Sequence, residues 1–275
     1  MPGFPAAHRN APGGLIVPKA SLFLRLNTLA NGSLGTVPEA DVQRYGEYDP
    51  LAYGHWIFKG TSDAVMTAKG QSGKVLTPQG ADPVFTPDYL ELNMLEGNAL
   101  LTDLIDTDGA TDTWAAVVQL SDPGFFILLG TLENGADGGG LFATGSPRKL
   151  YTTVRGTSVA ITNSIANAPD FADDAWYFIA MSRDFAGATK TVHQLLGSGA
   201  VVSTTALAGV TYNENAGETV ALGHAYYDNG TPGGTDVPMK VREFITYDRA
   251  LGADELLKLY AWRKAVLEAD GIVVV

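Results

Sequence analysis

The stretch "KVREFITYDRALGADELLKLYAWRK", Lys240 to Lys264, changes its periodicity midway. Its first half, "VREFITY", is β-branched and aromatic and reads as a strand. The segment "DELLKLYAWRKAVLEAD" that follows spaces Leu256, Leu259, Tyr260 and Leu267 along one face of a helix. Between the two, Asp248-Arg249-Ala250-Leu251 forms a tight turn. Asp254 and Glu255 fall in the first helical turn, where they complement the positive end of the dipole, and Arg263 and Lys264 stand towards the other end. The apolar face of such a helix must be buried, so it is expected to lie as a lid on the sheet that the preceding strand belongs to.

Working outward from this stretch, short strand-like runs recur from Ser21 onward, among them "HWIFKG", "YLELN", "TWAAVVQLS", "FFILLGT", "WYFIAMS", "TVHQLLG" and "TVALGHAY". Turn signals such as Asp108-Gly109, Asp122-Pro123-Gly124 and Asn134-Gly135 separate them. In "LYTTVRGTSVAITN", Leu150, Thr152 and Val154 face one way and Tyr151, Thr153 and Arg155 the other. Gly156-Thr157 closes the hairpin onto Val159 and Ile161. Many short strands, frequent turns and almost no helix predict an all-β fold, an antiparallel sandwich or jelly roll with a short C-terminal helix packed on it. No fixed repeat period points to a propeller or solenoid. Residues 1–18 carry four prolines and three glycines and read as an extended arm, with residues 19–275 as one sandwich domain.

A net charge of −12 and a pI near 4.6 argue against nucleic acid or an anionic membrane as partner. Cysteine is absent, which excludes disulfides, thiolate metal sites and a Cys nucleophile. The opening residues lack the apolar run of a secretory signal peptide, and no segment approaches 18 uninterrupted apolar residues, so no membrane insertion is expected. Asn31-Gly32-Ser33 and Asn229-Gly230-Thr231 read as Asn-Gly turns rather than glycosylation sites.

The order of "YGHWIFKGTSDAV", "GKVLTPQG", "DYLELN", "DTWAAVVQLSDPG", "DDAWYFIAMSRDFAGATKTVHQLLG", "ETVALGHAYYDNG" and "VREFITYDRALGADELLKLYAWR" resembles the laminin-G-like, concanavalin A-like jelly-roll superfamily. The likeness runs from about Ser21 to Asp270, and "YDRALGADEL" is its most specific piece. The resemblance implies a sandwich whose last strand runs into that turn and an acidic helix. It also implies roles in sugar binding, adhesion or structural decoration, and Ca²⁺ on rim loops. Trp56, Trp114 and Trp176 lie in strand-like runs and are expected in the core.

"ELNMLE", with Glu91, Asn93 and Glu96, approaches the Glu-x-Asp-x-x-Glu strand of sandwich-fold glucanases, but Asn93 replaces the tuning Asp, and a polar strand edge accounts for it better than a glycosidase. "DLIDTDGATDTW" places Asp103, Asp106, Asp108 and Asp112 close together, and carboxylates at such spacing can hold Ca²⁺. An Asp-Gly turn entering a strand explains Asp108 without metal. The expected metal ligands are Asp106, Asp108 and Asp112. The loop "GHAYYDNGTPGGTDVP" offers Tyr226 and Tyr227 as sugar-stacking faces with Asp228, Asn229 and Asp236 as hydrogen-bonding groups, against a plain loop tip with one Tyr turned inwards. The four histidines are scattered without zinc spacing, and "ENGADGGGLF" lacks the ending of a phosphate loop and reads as a mobile hairpin tip.

These features predict a non-catalytic carbohydrate-binding or adhesion module that recognises a cell-surface glycan. The setting expected is a phage or phage-like virion, whose proteins need no signal peptide, with the first 18 residues docking on other virion proteins. Weak single-site sugar contacts call for several copies, as in a homo-oligomer. A purely structural decoration protein is the alternative.

Overall fold

The computed structural model describes residues 47–275 except 62, 71, 122–123, 136, 146, 157–159, 165–170, 188–189, 197–201, 208 and 228–236, together with the pairs 21–22 and 44–45. The chain divides into two units, Met1–Glu47 and Tyr48–Val275. In the first, β1 (Ser21–Leu22) pairs antiparallel with β2 (Arg44–Tyr45). The arm expected over residues 1–18 lies outside the described residues. The second unit holds the sandwich.

Its strands are β3 (Gly54–Ile57), β4 (Thr77–Gln79), β5 (Val84–Phe85), β6 (Leu90–Asn93), β7 (Asn98–Ile105), β8 (Thr111–Gln119), β9 (Phe126–Gly130), β10 (Gly139–Thr144), β11 (Lys149–Arg155), β12 (Ala160–Ser164), β13 (Trp176–Asp184), β14 (Thr191–Leu196), β15 (Val202–Ala206), β16 (Thr219–His224) and β17 (Pro238–Tyr247). A 7-stranded sheet has the order β12-β11-β10-β9-β16-β7-β4, and an 8-stranded sheet the order β15-β14-β13-β8-β17-β6-β5, with β3 alongside β17. The ladders are antiparallel. The helix α1 (Ala253–Ala269) covers the outer face of the 8-stranded sheet at β13, β14 and β15.

Alternation explains why the central strands read as continuous apolar runs. In β8, Trp114, Ala116 and Val118 enter the core between the sheets, while Ala115 and Val117 face the helix. In β13, Tyr177, Ile179 and Met181 enter the core, while Phe178 and Ala180 meet the helix. A strand buried on both faces has no polar side to show. Trp56 and Trp114 are fully buried, as expected, and Trp56 stacks on Phe244 with centroids 5.4 Å apart. Trp176 departs from the expectation: it is only half-buried, on the helix side, because alternation from Phe178 carries it to the outer face at the strand's end.

One bulge makes β17 compatible with both layers. Val241 pairs with Val118 and Glu243 with Val117, so Arg242 is the extra residue. Strict alternation would send Glu243 into the core beside Val241. The bulge places Val241 and Phe244 in the core and turns Glu243 towards the helix. There the buried Arg263 guanidinium grips the Glu243 carboxylate, its Nε donating to Oε2 at 2.8 Å. Arg263 thus sits on the buried face of α1 as an ion-pair partner, not as a free charge serving the helix dipole. Thr113 fastens the preceding turn, donating to the Arg249 carbonyl and accepting from the Leu251 amide. Glu255 caps the helix by accepting from the Gly252 amide at 2.9 Å.

Burial alone would raise the Glu243 carboxyl, but the positive field of Arg263 outweighs it and holds the group at about 2, below its ordinary 4.5. A depressed folded value means that the stabilisation is complete above pH 4.5 and disappears as pH falls towards 2. The melting temperature should drop through that window, and a Glu243→Gln/Arg263→Met double substitution should flatten the drop. Equal acid sensitivity in the double variant would assign the transition to other carboxylates.

Two strands depart from the sequence reading. "GGGLF" enters β10 rather than forming a hairpin tip, and glycine is what allows it: a Cβ on Gly130 would stand 2.3 Å from the Gly139 carbonyl oxygen of the neighbouring strand. Asp103, grouped in the sequence with Asp106, Asp108 and Asp112, belongs to the end of the long strand β7 and not to the turn that follows it.

Candidate functional site

The outer face of the 7-stranded sheet carries a row of half-exposed aromatic rings. Phe142 lies directly opposite Tyr151 in the β10–β11 ladder. Leu141, Ala143, Leu150 and Val154 take the inward positions, which leaves Phe142 and Tyr151 outside. Their rings stack at 5.1 Å and 13°. Phe142 also pairs with Ile127 of β9, and Phe125, two residues earlier on the same face, brings its ring to 5.5 Å from Phe142. Tyr227, just beyond β16, continues the row at 5.1 Å from Phe125. His224 backs the last two rings at 6.0 Å from each. Burial lowers the His224 pKa, so the imidazole behind the row is neutral.

Such a row does two things chemically. The cross-strand Phe142–Tyr151 pair stabilises the sheet. The part of each half-buried ring that reaches solvent offers apolar surface against which the C–H side of a sugar ring can pack.

Of the residues singled out in the sequence, Tyr227 joins the row. Tyr226 instead lies back along β16: it is half-buried against the small cluster Ala99, Ala221 and Ala225, and its hydroxyl donates to the Thr219 carbonyl at 2.7 Å. Burial raises its phenol pKa. One Tyr of the pair is therefore a clamp and the other a surface ring. Asp228, Asn229 and Asp236 lie outside the described residues. Tyr226→Ala should cost about 1–3 kcal/mol through the lost packing and hydrogen bond. Tyr227→Ala should cost under about 1 kcal/mol, because its ring is already partly in water. Urea unfolding of the two variants checks the difference; equal losses would contradict the clamp role of Tyr226.

The aspartates Asp106 and Asp112 do converge, but on an arginine. Arg183 of β13 is fully buried; its Nε and Nη2 donate to the two Asp112 oxygens at 2.8 and 2.6 Å, and Nη1 to Asp106 Oδ1 at 3.0 Å. Asp106 Oδ2 accepts from Tyr212, Thr131 and the Asn215 amide at 2.7, 2.8 and 2.9 Å. The guanidinium lies 4.2 Å over the Trp114 ring. Burial raises the Tyr212 phenol, which keeps it a neutral donor. Asp108 stands apart as an exposed turn residue. Asp106 and Asp112, expected with Asp108 as calcium ligands, here face Arg183, which supplies the positive charge between them, and among the described residues no group of three or more His, Asp or Glu side chains is arranged to hold a metal.

Glu91 and Asn93 alternate with the buried Leu90 and Leu92 on β6. Asn93 is engaged structurally, accepting from the Leu95 amide at 2.8 Å and from Asn98 Nδ2 at 3.0 Å. Sequence reasoning missed Phe125, Phe142 and Tyr151 as site residues. The signal lay in the alternation around them, but only the ladder register aligns them with Tyr227.

No protein-family model matches the chain, and no curated protein does. Solved structures do match. The receptor binding domain of botulinum neurotoxin D aligns with a TM-score of 0.55 and 8% identity over 78% of this chain and 53% of that one. The botulinum neurotoxin serotype G binding domain aligns at 0.54 and 13% over 78% and 51%. A Trypanosoma rangeli sialidase aligns at 0.50 and 14% over 79% and 34%. This chain spans about half the length of the neurotoxin domains it matches. At these identities what is shared is the sandwich fold.

Proposed function

We propose that this chain is a non-catalytic recognition module that binds carbohydrate on a cell surface through the aromatic row Tyr151, Phe142, Phe125 and Tyr227. The row carries the reading: four half-buried rings, each in contact with the next along the outer face of one sheet, present apolar surface for successive sugar units. Similarity to structures described as receptor binding domains supports it. Asp228, Asn229 and Asp236, close to Tyr227 in sequence, supply candidate hydrogen-bonding groups for the sugar hydroxyls. We extend the proposal to display on a phage or phage-like particle. The Pro- and Gly-rich residues 1–18 suit docking on a neighbouring virion protein, and many copies on one particle turn millimolar contacts into firm attachment.

Tyr151→Ala/Tyr227→Ala removes the two ends of the row. Cell or glycan binding should fall at least about tenfold, the scale set by losing 1.4 kcal/mol or more of stacking. Undiminished binding by a folded double variant would place the site elsewhere.

A further inference from the structure

A second site lies on the other sheet, at the edge of the helix layer. A pocket of about 260 Å³ opens between the ends of β8, β13 and β17 and the C-terminal end of α1. Trp176, displaced from the expected core, forms one wall, and Tyr89 stands against it with ring centroids 6.1 Å apart at 54°, making an aromatic corner. Arg242, the bulge residue of β17, is buried and also lines the pocket. Its Nη1 donates to the Asp88 carbonyl and its Nη2 to Asp270 Oδ2, each at 2.6 Å, while its buried Nε has no acceptor among the described residues. Lys59 Nζ reaches the same Asp270 oxygen at 3.1 Å, which leaves Asp270 Oδ1 without a donor among the described residues. Gln119 directs Nε2 to the Asp174 carbonyl at 2.5 Å and so presents Oε1 as a second acceptor.

We infer that this pocket binds a single neutral sugar ring, independently of the aromatic row. Two aromatic faces at an angle provide the stacking surface, and the volume suits one hexose-sized ring. The polar groups are mixed: Arg242 and Lys59 donate, Asp270 and Gln119 accept. Hydroxyl groups answer both kinds at once, whereas a phosphate or carboxylate only accepts and would meet the Asp270 carboxylate. The charges of Lys59, Arg242, Asp88 and Asp270 sum to zero, which also favours an uncharged ligand. The two candidate sites share no residue, so their tests fail separately.

The experiment is saturation-transfer NMR on the full chain with the methyl glycosides of glucose, galactose and mannose, and with N-acetylneuraminate and inorganic phosphate as anionic probes. At least one neutral glycoside should bind near millimolar, with its ring protons the most strongly saturated. Trp176→Ala should raise the Kd at least about tenfold, and Lys59→Ala, at an exposed position where folding is not at stake, about threefold. Tyr227→Ala should leave it unchanged. Absence of neutral-glycoside binding, binding of the anionic probes alone, or glycoside binding indifferent to both Trp176→Ala and Lys59→Ala would each overturn the inference.

Discussion

Arg183→Leu should destabilise the sandwich by about 3–5 kcal/mol, a large share of the 5–15 kcal/mol that holds a typical domain together. Arg183 is the cation facing Asp106 and Asp112 in a site closed to water. Its removal leaves two carboxylates buried without a counter-charge, and their desolvation is then uncompensated. Asp106 retains Tyr212, Thr131 and the Asn215 amide, whereas Asp112 loses the paired bonds to both oxygens. Substituting Asp112→Asn in the same protein should recover part of the loss, because a neutral amide no longer demands a cation. Urea unfolding followed by tryptophan fluorescence measures both. A loss under about 1 kcal/mol would show that water or another cation reaches the aspartates.

Arg263→Ala should cost about 3–5 kcal/mol by the same physics in a different layer. Here the stranded group is Glu243, buried between the 8-stranded sheet and α1. His55 Nε2 stands 3.7 Å from Glu243, and its Nδ1 already accepts from the Asp49 amide. Burial holds His55 below its ordinary pKa, so at neutral pH it offers no full charge to replace the arginine. The variant should therefore loosen the helix layer first. Amide hydrogen exchange should quicken across α1 while β8, held by neighbours on both sides, stays protected. Uniform quickening of both would mean that helix and sandwich unfold as one unit.

The sandwich and its lid helix were legible in the sequence because their signals are local: the change of period after Tyr247, the double-sided apolar runs of β8 and β13, and the "YDRALGADEL" turn. Contacts between residues far apart in sequence were not. Asp106 and Asp112 look like a metal loop until β13 delivers Arg183 from 77 and 71 positions away. Arg263 resembles a surface cation until the β17 bulge turns Glu243 beneath it. The Gly run before Phe142 looks mobile until Gly130 is found against Gly139 and Gly140. For the candidate site the sequence offered Tyr227 but paired it with Tyr226, which is held along β16, and its alternation put Tyr151 opposite Leu150 and Val154 without linking it to Phe125, Phe142 or Tyr227. Those three reach Tyr227 only through strand register, which alternation does not specify.

Carbohydrate recognition is tested by applying the full chain, labelled and presented in many copies on a bead, to an array of cell-surface glycans, beside the same beads bearing Tyr151→Ala/Tyr227→Ala. Saturable binding to a restricted set of glycans that the double variant loses is the result expected. Folded protein that retains no glycan at any density, or a double variant that binds as the unaltered chain does, contradicts it.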